Sequence, residues 1–365
     1  METKTKMLTF LVVTIMVAAG GIYFLEYGGD SNADITIACG TKNYYEPFWI
    51  ADHYGYFEEQ GVSVKMLYVD GGGSATTALM AGRADITLVG ADPAVRFIDQ
   101  TEDGMIIGSI SVNKSSTAYD FAALTEYGVD LNDPAGTLLN SDGTVKVHTG
   151  TDTTTGYFGG YRGYLYSAWQ DGKLTEDQYN LLRSVKSSDS DGGIVHLQFD
   201  SQVTALLQDE VQMLCSGNVL NVTKETGGDS VTILSSPYED PVGACVIIAS
   251  KKILEQKQDK VMKVMKAFDK ACADIENPDT RWSVSEYCAE FYNVGGWTAN
   301  SQKTFFESQY WNICMMKDIE DFLIRKAALL DYNDFDPAER IDYYFLDEIY
   351  GGSPYTYDPG TGTLV

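Results

Sequence analysis

The sequence predicts an α/β protein with two lobes, each built on a mostly parallel sheet, and a separate apolar N-terminal helix. Three observations lead to this prediction. Apolar strand-like runs such as DITIACG (34–40) alternate with helix-like segments, which is typical of parallel sheets. One loop–helix–strand unit occurs twice. The 365 residues are also enough for two domains.

The repeated unit is the most informative part of the sequence. Its first copy is GGGSATTALMAGRADITLVG (71–90), and the second copy, FDSQVTALLQDEVQMLCSG (199–217), aligns on it without gaps. Ser74 then aligns with Ser201, and we expect Ser74 to be the N-cap of the first helix. Unpaired N–H groups at a helix start bind negative or hydrogen-bonding groups. We therefore expect the two copies to face each other across a ligand-binding cleft.

The candidate binding residues are chosen on separate grounds. The loop after the first strand is chosen because ligands of open α/β sheets bind at the carboxyl ends of strands. The glycine-rich turn of the first copy is chosen for its triple glycine, the segment after strand 144–149 for hydroxyls at a helix start, and the second copy for the repeat alone. An alternative is that several of these residues are ordinary caps or turns, with Asp92 as an N-cap before Pro93. The candidates are Thr41, Lys42, Tyr44, Tyr45, Glu46, Gly72, Gly73, Ser74, Ala75, Gly90, Ala91, Asp92, Thr151, Thr153, Thr154, Thr155, Asp200, Ser201, Ser216 and Asn218.

The charge balance limits the class of partner. The chain has 26 Lys and Arg against 52 Asp and Glu, a net charge of −26. This disfavours nucleic acid and anionic lipid, because both require basic patches. The acidity also favours a neutral or cationic organic ligand held by aromatic side chains. Lys42 and Arg162 are the nearest basic candidates for contact with an anion.

The N-terminus predicts export. Lys4 and Lys6 precede the uncharged apolar run 7–25, whose length is marginal for one membrane crossing. Positive flanking charge would keep the N-terminus inside and place the rest outside. We expect residues 1–26 to be an uncleaved anchor, with a cleaved signal peptide as the alternative and a buried helix as a third, and residues 27–33 to be a linker.

The sequence contains no recognisable catalytic or metal-binding pattern. Its six cysteines include no CxxC pair, and its three histidines are spread apart. No GxSxG, P-loop or dinucleotide-binding pattern occurs. We therefore predict a protein that is not an enzyme and has no metal or cofactor, while disulfides between some of the cysteines stay open.

Two stretches resemble a known family. ADHYGYFEEQGVSV (51–64) and the first copy of the repeat are similar to motifs in the substrate-binding proteins of nitrate/sulfonate/taurine ABC importers. The resemblance covers about residues 34–300 and implies the type II periplasmic binding protein fold, with the ligand between two lobes. It implies delivery of a small organic or oxyanion ligand to an ABC permease and its ATPase. Alternatives are a ligand-sensing ectodomain and an enzyme resembling pyrimidine-precursor synthases, whose cysteine-rich metal motif is absent here.

The predicted domain organisation follows the order of these elements. We expect 34–118 and 240–350 to form lobe 1, 119–239 to form lobe 2, and the turn-rich tail 351–365 to be mobile. Beyond the amphipathic helix at 255–275, we expect helices within 280–293, 301–330 and 337–349.

Overall fold

A computed structural model describes residues 33–41, 43–69, 71–113, 120–151, 156–186, 192–197, 201–215, 230–237, 245–292, 297–332, 335–358 and 363–365. The predicted N-terminal anchor lies outside the described residues. Within them, none of the helices is both long and apolar enough to cross a membrane.

The described residues contain thirteen strands, which are divided between two sheets. They are β1 (Ile35–Gly40), β2 (Val64–Val69), β3 (Ile86–Val89), β4 (Met105–Asn113), β5 (Asp120–Leu124), β6 (His148–Thr151), β7 (Gly193–His196), β8 (Met213–Cys215), β9 (Val231–Ser235), β10 (Cys245–Ala249), β11 (Gln309–Met316), β12 (Thr356–Asp358) and β13 (Thr363–Leu364). The first sheet has the order β13-β12-β11-β4-β10-β3-β1-β2, and the second has the order β7-β6-β8-β5-β9.

Helices connect the strands and cover the sheets. They are α1 (Glu46–His53), α2 (Tyr56–Glu59), α3 (Gly72–Met80), α4 (Ala91–Gln100), α5 (Pro134–Leu138), α6 (Gly163–Gln170), α7 (Glu176–Leu182), α8 (Gln202–Leu207), α9 (Lys251–Glu276), α10 (Pro278–Tyr292), α11 (Ala299–Ser308), α12 (Ile319–Leu329) and α13 (Tyr344–Tyr350). A π-helix, Gly156–Arg162, runs directly into α6.

Both sheets are mixed, so the expectation of mostly parallel sheets is wrong. β1 is parallel to β2 and β3, but β10 is antiparallel to both β3 and β4. In the second sheet β6 is parallel to β7 and β8, but β5 is antiparallel to β8 and β9. The reason is connectivity: β5 and β10 each follow a strand of the other sheet, and each starts at the edge where both of its adjacent strands end.

The predicted repeat is confirmed by the topology. Five strands of the first sheet, β2-β1-β3-β10-β4, have the same arrangement as β7-β6-β8-β5-β9 in the second. The α3 and α8 helices end at the aligned residues Met80 and Leu207. The following strands, β3 and β8, begin at the aligned residues Ile86 and Met213. The sequence alignment therefore matches equivalent structural positions.

The same correspondence extends to individual hydrogen bonds. Asp85 Oδ2 accepts a bond from the Thr36 amide at 2.8 Å, and the aligned Gln212 Oε1 accepts one from the His148 amide at 2.9 Å. The backbones of Gly82 (φ 64°) and the aligned Asp209 (φ 58°) are both left-handed. In each copy, a side-chain acceptor at the same aligned position therefore accepts a hydrogen bond from the backbone of the neighbouring parallel strand.

The hydrophobic cores of the two sheets are separate. One buried cluster contains only residues before position 111 or after position 245 and packs around the first sheet. Two smaller clusters contain only residues between 121 and 215 and cover the faces of the second sheet. Each sheet therefore has its own core.

The C-terminal region differs from the prediction. Gln309–Met316 forms strand β11, antiparallel to β4, within the stretch 301–330, where the sequence predicts helix. The tail, predicted to be mobile, contributes β12 and β13 to the first sheet. Tyr357 of β12 is 1% exposed and stacks on Tyr310 at a ring distance of 4.8 Å. The tail therefore takes part in the packing of the sheet.

Candidate functional site

The candidate residues of the first half lie at one edge of the first sheet. β1, β2 and β3 are parallel, and each is followed by a helix whose N-terminus lies near the strand's carboxyl end. These helices are α1, α3 and α4, and they begin at Glu46, Gly72 and Ala91. The N–H groups of the first turn of a helix have no partner within the helix, so this edge is a site for hydrogen-bond acceptors.

The glycine-rich turn starts α3 earlier than expected. Gly71, with a left-handed φ of 87°, is the N-cap, so the prediction that Ser74 caps this helix is wrong. Ser74 is instead the third helical residue. Three successive glycines allow the turn before the helix to close at Gly71, because glycine accepts positive φ without strain. The amides of Gly72, Gly73 and Ser74 are consequently the ones exposed at this helix start.

The two helical glycines have different surroundings. A Cβ on Gly72 would lie 2.9 Å from Pro93 Cγ, so only glycine allows the starts of α3 and α4 to approach this closely. A Cβ on Gly73 would meet no atom within 4 Å, so Gly73 borders open space. Gly72 therefore fixes the close approach of the two helix starts, whereas Gly73 is unobstructed. Ala75, in the same turn, is fully buried.

The second turn is capped by glycine. Gly90 is the N-cap of α4, Ala91 is its first residue, and Asp92 is its second residue at 3% exposure. The alternative that Asp92 is the N-cap is therefore wrong. Asp92 adds negative charge to the first turn of α4, which is stabilising at the positive end of the helix dipole.

The loop after β1 contains aromatic residues in contrasting environments. Thr41 is exposed, and Lys42 lies outside the described residues. Tyr44 has a left-handed backbone (φ 83°) and contacts Phe305 of α11 edge to face at 5.1 Å. Tyr45 is 7% exposed and its ring covers Gly40, where any Cβ would overlap it. Tyr45 therefore belongs to the core, and Tyr44 lies closer to the solvent.

Glu46 is the most unusual candidate. It is the first residue of α1, is fully buried, and forms no ion pair with any described lysine or arginine. Its Oε1 accepts a hydrogen bond from Gln302 Nε2 at 2.8 Å, while Oε2 has no hydrogen-bond partner among the described residues. Burial raises the pKa of Glu46 from 4.5 to about 7, and the nearby amides of Glu46 and Tyr44, together with the bond from Gln302, offset this only in part.

The second half contributes two described candidates. Thr151 is the last residue of β6 and is fully buried, and its Oγ1 has no hydrogen-bond partner among the described residues. Ser201 is exposed and is the N-cap of α8. The other candidates of this half, Thr153, Thr154, Thr155, Asp200, Ser216 and Asn218, lie outside the described residues. That the two copies face each other stays a prediction.

A contact between the two halves was not predicted from the sequence. Helix α12 packs against α4 on one side and against the π-helix on the other. Directly after it, Asp331 accepts hydrogen bonds from Arg162 (3.2 Å) and Arg183 (2.6 Å), both from the half containing the second sheet. Partial burial alone would raise the pKa of Asp331, but Arg183 and Arg162 outweigh it and lower the pKa below its ordinary range. Arg162, a candidate for anion contact, is thus already paired with a carboxylate.

Comparison with solved structures identifies the fold. The chain is similar to the alkanesulfonate-binding protein SsuA from Xanthomonas axonopodis bound to MOPS, with a TM-score of 0.59 and 13% identity over 86% of this chain and 100% of that one. It is similar to the periplasmic aliphatic sulphonate binding protein SsuA from Escherichia coli, with a TM-score of 0.60 and 14% identity over 85% and 90%. The periplasmic nitrate-binding protein NrtA from Synechocystis matches with a TM-score of 0.61 and 11% identity over 87% and 88%.

The fold is therefore that of the periplasmic binding proteins, as the sequence resemblance implied. No protein-family model matches the sequence, and no curated protein is significantly similar to it. The likeness is thus one of structure at low sequence identity.

The adjacent glycines give a test of the turn. We expect Gly72→Ala to lower the free energy of unfolding by about 1–3 kcal/mol, because the new methyl group would overlap Pro93. We expect Gly73→Ala to be neutral or to raise it by up to about 0.5 kcal/mol, because nothing opposes the methyl group and alanine favours the helix. Urea denaturation of both variants measures the difference. Equal effects of the two substitutions would contradict this description of the turn.

The raised pKa of Glu46 predicts a pH-dependent stability. Between pH 4.5 and 7 the folded protein keeps Glu46 protonated while the unfolded chain releases the proton. The free energy of unfolding should therefore fall by about 3 kcal/mol as the pH rises through this window, and should then level off. Glu46→Gln should remove this component, because glutamine does not titrate and can still accept the bond from Gln302.

The measurement is denaturant unfolding from pH 4.5 to 8.5, in which the difference between wild type and variant isolates Glu46. Glu58→Gln, which makes the same substitution at an exposed acid on α2, is the control for loss of a surface charge. Parallel profiles for wild type and Glu46→Gln would show that Glu46 has an ordinary pKa.

Proposed function

We propose that this protein is an extracytoplasmic solute-binding protein that captures a small molecule between two lobes and delivers it to an ABC importer. Lobe 1 would comprise residues 34–118 and 240–350 and contain the first sheet apart from β12 and β13, which come from the tail. Lobe 2 would comprise residues 119–239 and contain the second sheet. The partners would be the importer's permease and ATPase. The proposal excludes an enzymatic activity.

The observation that carries this proposal is the duplicated unit. Both sheets have the same strand order, and the repeated helix ends at the aligned residue in each. In both, a side chain just before the repeated strand accepts a hydrogen bond from the neighbouring strand's backbone. Since helix starts lie at the carboxyl ends of the parallel strands in both halves, two equivalent half-sites are available to one ligand. The fold similarity supports the proposal, because the similar structures include proteins named as sulfonate-binding and nitrate-binding.

The proposed mechanism is closure of the lobes around the ligand. The amides of Gly72, Gly73 and Ser74 in lobe 1 and the start of α8 at Ser201 in lobe 2 would hold polar groups of the ligand. The separate cores allow each lobe to move as a unit. The ion pairs of Asp331 with Arg162 and Arg183 would connect the two lobes and limit their relative movement.

Export and anchoring are proposed from the sequence. Lys4, Lys6 and the apolar run 7–25 are the features that support an N-terminal anchor or signal segment. The bulk of the chain would then lie outside the cytoplasm, where a solute-binding protein meets its ligand.

Thermal unfolding with a ligand panel tests the function. The panel contains alkanesulfonates, nitrate, amines and nitrogen heterocycles. A ligand present at a hundred times its Kd should stabilise the protein by about 2.7 kcal/mol. Gly73→Phe should abolish this stabilisation, because the ring would fill the open space at the start of α3.

Met80→Phe is the matched control, because it places the same ring at the exposed, opposite end of α3 and should leave ligand stabilisation intact. If Gly73→Phe bound ligand as well as wild type, the proposed cleft would be in the wrong place. If no ligand changed the unfolding temperature, and none co-purified in native mass spectrometry, the proposed function would be contradicted.

A further inference from the structure

The carboxylate of Glu46 lies at the same edge of the first sheet as the helix starts of α3 and α4, and it forms no ion pair with any lysine or arginine that the structure describes. It lies at the start of the eight-residue helix α1, a few residues beyond the carboxyl end of β1. Its side chain is fully buried, and Oε2 receives no hydrogen bond from the described residues. A buried carboxylate without a cation is costly unless it is protonated or paired. The dipole of α1 compensates only part of this cost.

Two other buried acceptors at this edge of the sheet also lack donors among the described residues. Asn43 Oδ1, in the same loop, and Gln309 Oε1, at the start of β11, are buried oxygens without hydrogen-bond partners in the described part of the chain. Gln309 pairs with Asn113 at the carboxyl end of β4, so it belongs to the same edge of the first sheet. This edge therefore presents several side-chain acceptors, and a hydrogen-bond donor would satisfy them.

The surroundings favour a cation over an anion. Tyr44 and Phe305 contact each other edge to face, and Phe305 lies on the same helix as Gln302, the partner of Glu46. Aromatic faces near a carboxylate are suited to a cationic nitrogen group. Arg162, which could have held an anion, is paired with Asp331.

We propose that Glu46 selects a ligand carrying a cationic nitrogen group, such as an amine or an amidine, whose N–H donors pair with the carboxylate. This inference rests on the proposed function and names its substrate class. The helix amides of α3 and α4 would then bind acceptor atoms elsewhere on the same ligand.

The pairing predicts that binding tightens as the pH rises. Only the ionised form of Glu46 pairs with a cation, and its pKa of about 7 makes that form scarce at pH 6 and dominant at pH 8. The titratable groups that interact with Glu46 are Cys39 from β1, Tyr44 from the loop and Cys288 from α10. Burial raises the pKa of each, so all three stay uncharged in this range. The affinity should therefore increase about tenfold from pH 6 to pH 8.

The experiment uses two matched pairs of probes that differ at one group: benzamidine against benzenesulfonate, and taurine against ethanesulfonate. Each probe keeps its charge from pH 6 to pH 8, so a pH effect reports on the protein. Calorimetric titration should give tighter binding for the nitrogen-bearing member of each pair. Glu46→Gln should weaken that binding and remove its pH dependence, while Glu58→Gln should change neither.

The inference is overturned if the sulfonate without nitrogen binds more tightly in both pairs, or if Glu46→Gln leaves the affinity of benzamidine and taurine unchanged. Either result would leave the proposed function standing, because a ligand would still bind. If all four probes fail to bind and no small molecule co-purifies, the inference and the proposed function are both contradicted.

Discussion

The structure depends on the parallel pairing of β3 with β1 and of β8 with β6. Beside each pairing one side-chain acceptor, Asp85 or Gln212, accepts a hydrogen bond from the amide of Thr36 or His148 in the neighbouring strand. Because β1 and β3 run in the same direction, the chain leaves both at one edge, where α1 and α4 begin. The free amides, the glycine turns and Glu46 are at that edge as a consequence. The duplicated unit is thus the physical basis of the site.

Much of this organisation could be predicted from local sequence. The repeat was visible because small residues, an apolar helix face and a buried strand recur at fixed spacing, and the structure places its aligned residues at equivalent positions. The strand directions could not be predicted, because β5 and β10 are oriented by crossings between sheets. Gln309–Met316 was expected to be helical, since a short apolar run fits either a helix or a strand, and pairing with β4 decides between them.

The site was predicted by position more successfully than by chemistry. The position of Glu46 after the first strand makes it a candidate, but its carboxylate is hydrogen-bonded by Gln302, more than 250 residues away in the chain. Similarly, the contact of Gly72 with Pro93 and of Arg162 with Asp331 joins distant segments. Local pattern gives no information on such pairs. The start of α3 was misplaced for a different reason, because serine is a common N-cap but Gly71 closes the turn first.

The central claim is that the two copies of the unit point their helix starts at one another. Distances between spin labels at Ser74→Cys and Ser201→Cys, compared with labels at the aligned helix ends Met80→Cys and Leu207→Cys, test it directly. Met80 and Leu207 are both exposed and so accept labels. We predict that the Ser74–Ser201 distance is the shorter of the two and shortens further when ligand binds. A Ser74–Ser201 distance longer than that between the helix ends, and unchanged by ligand, would contradict the account.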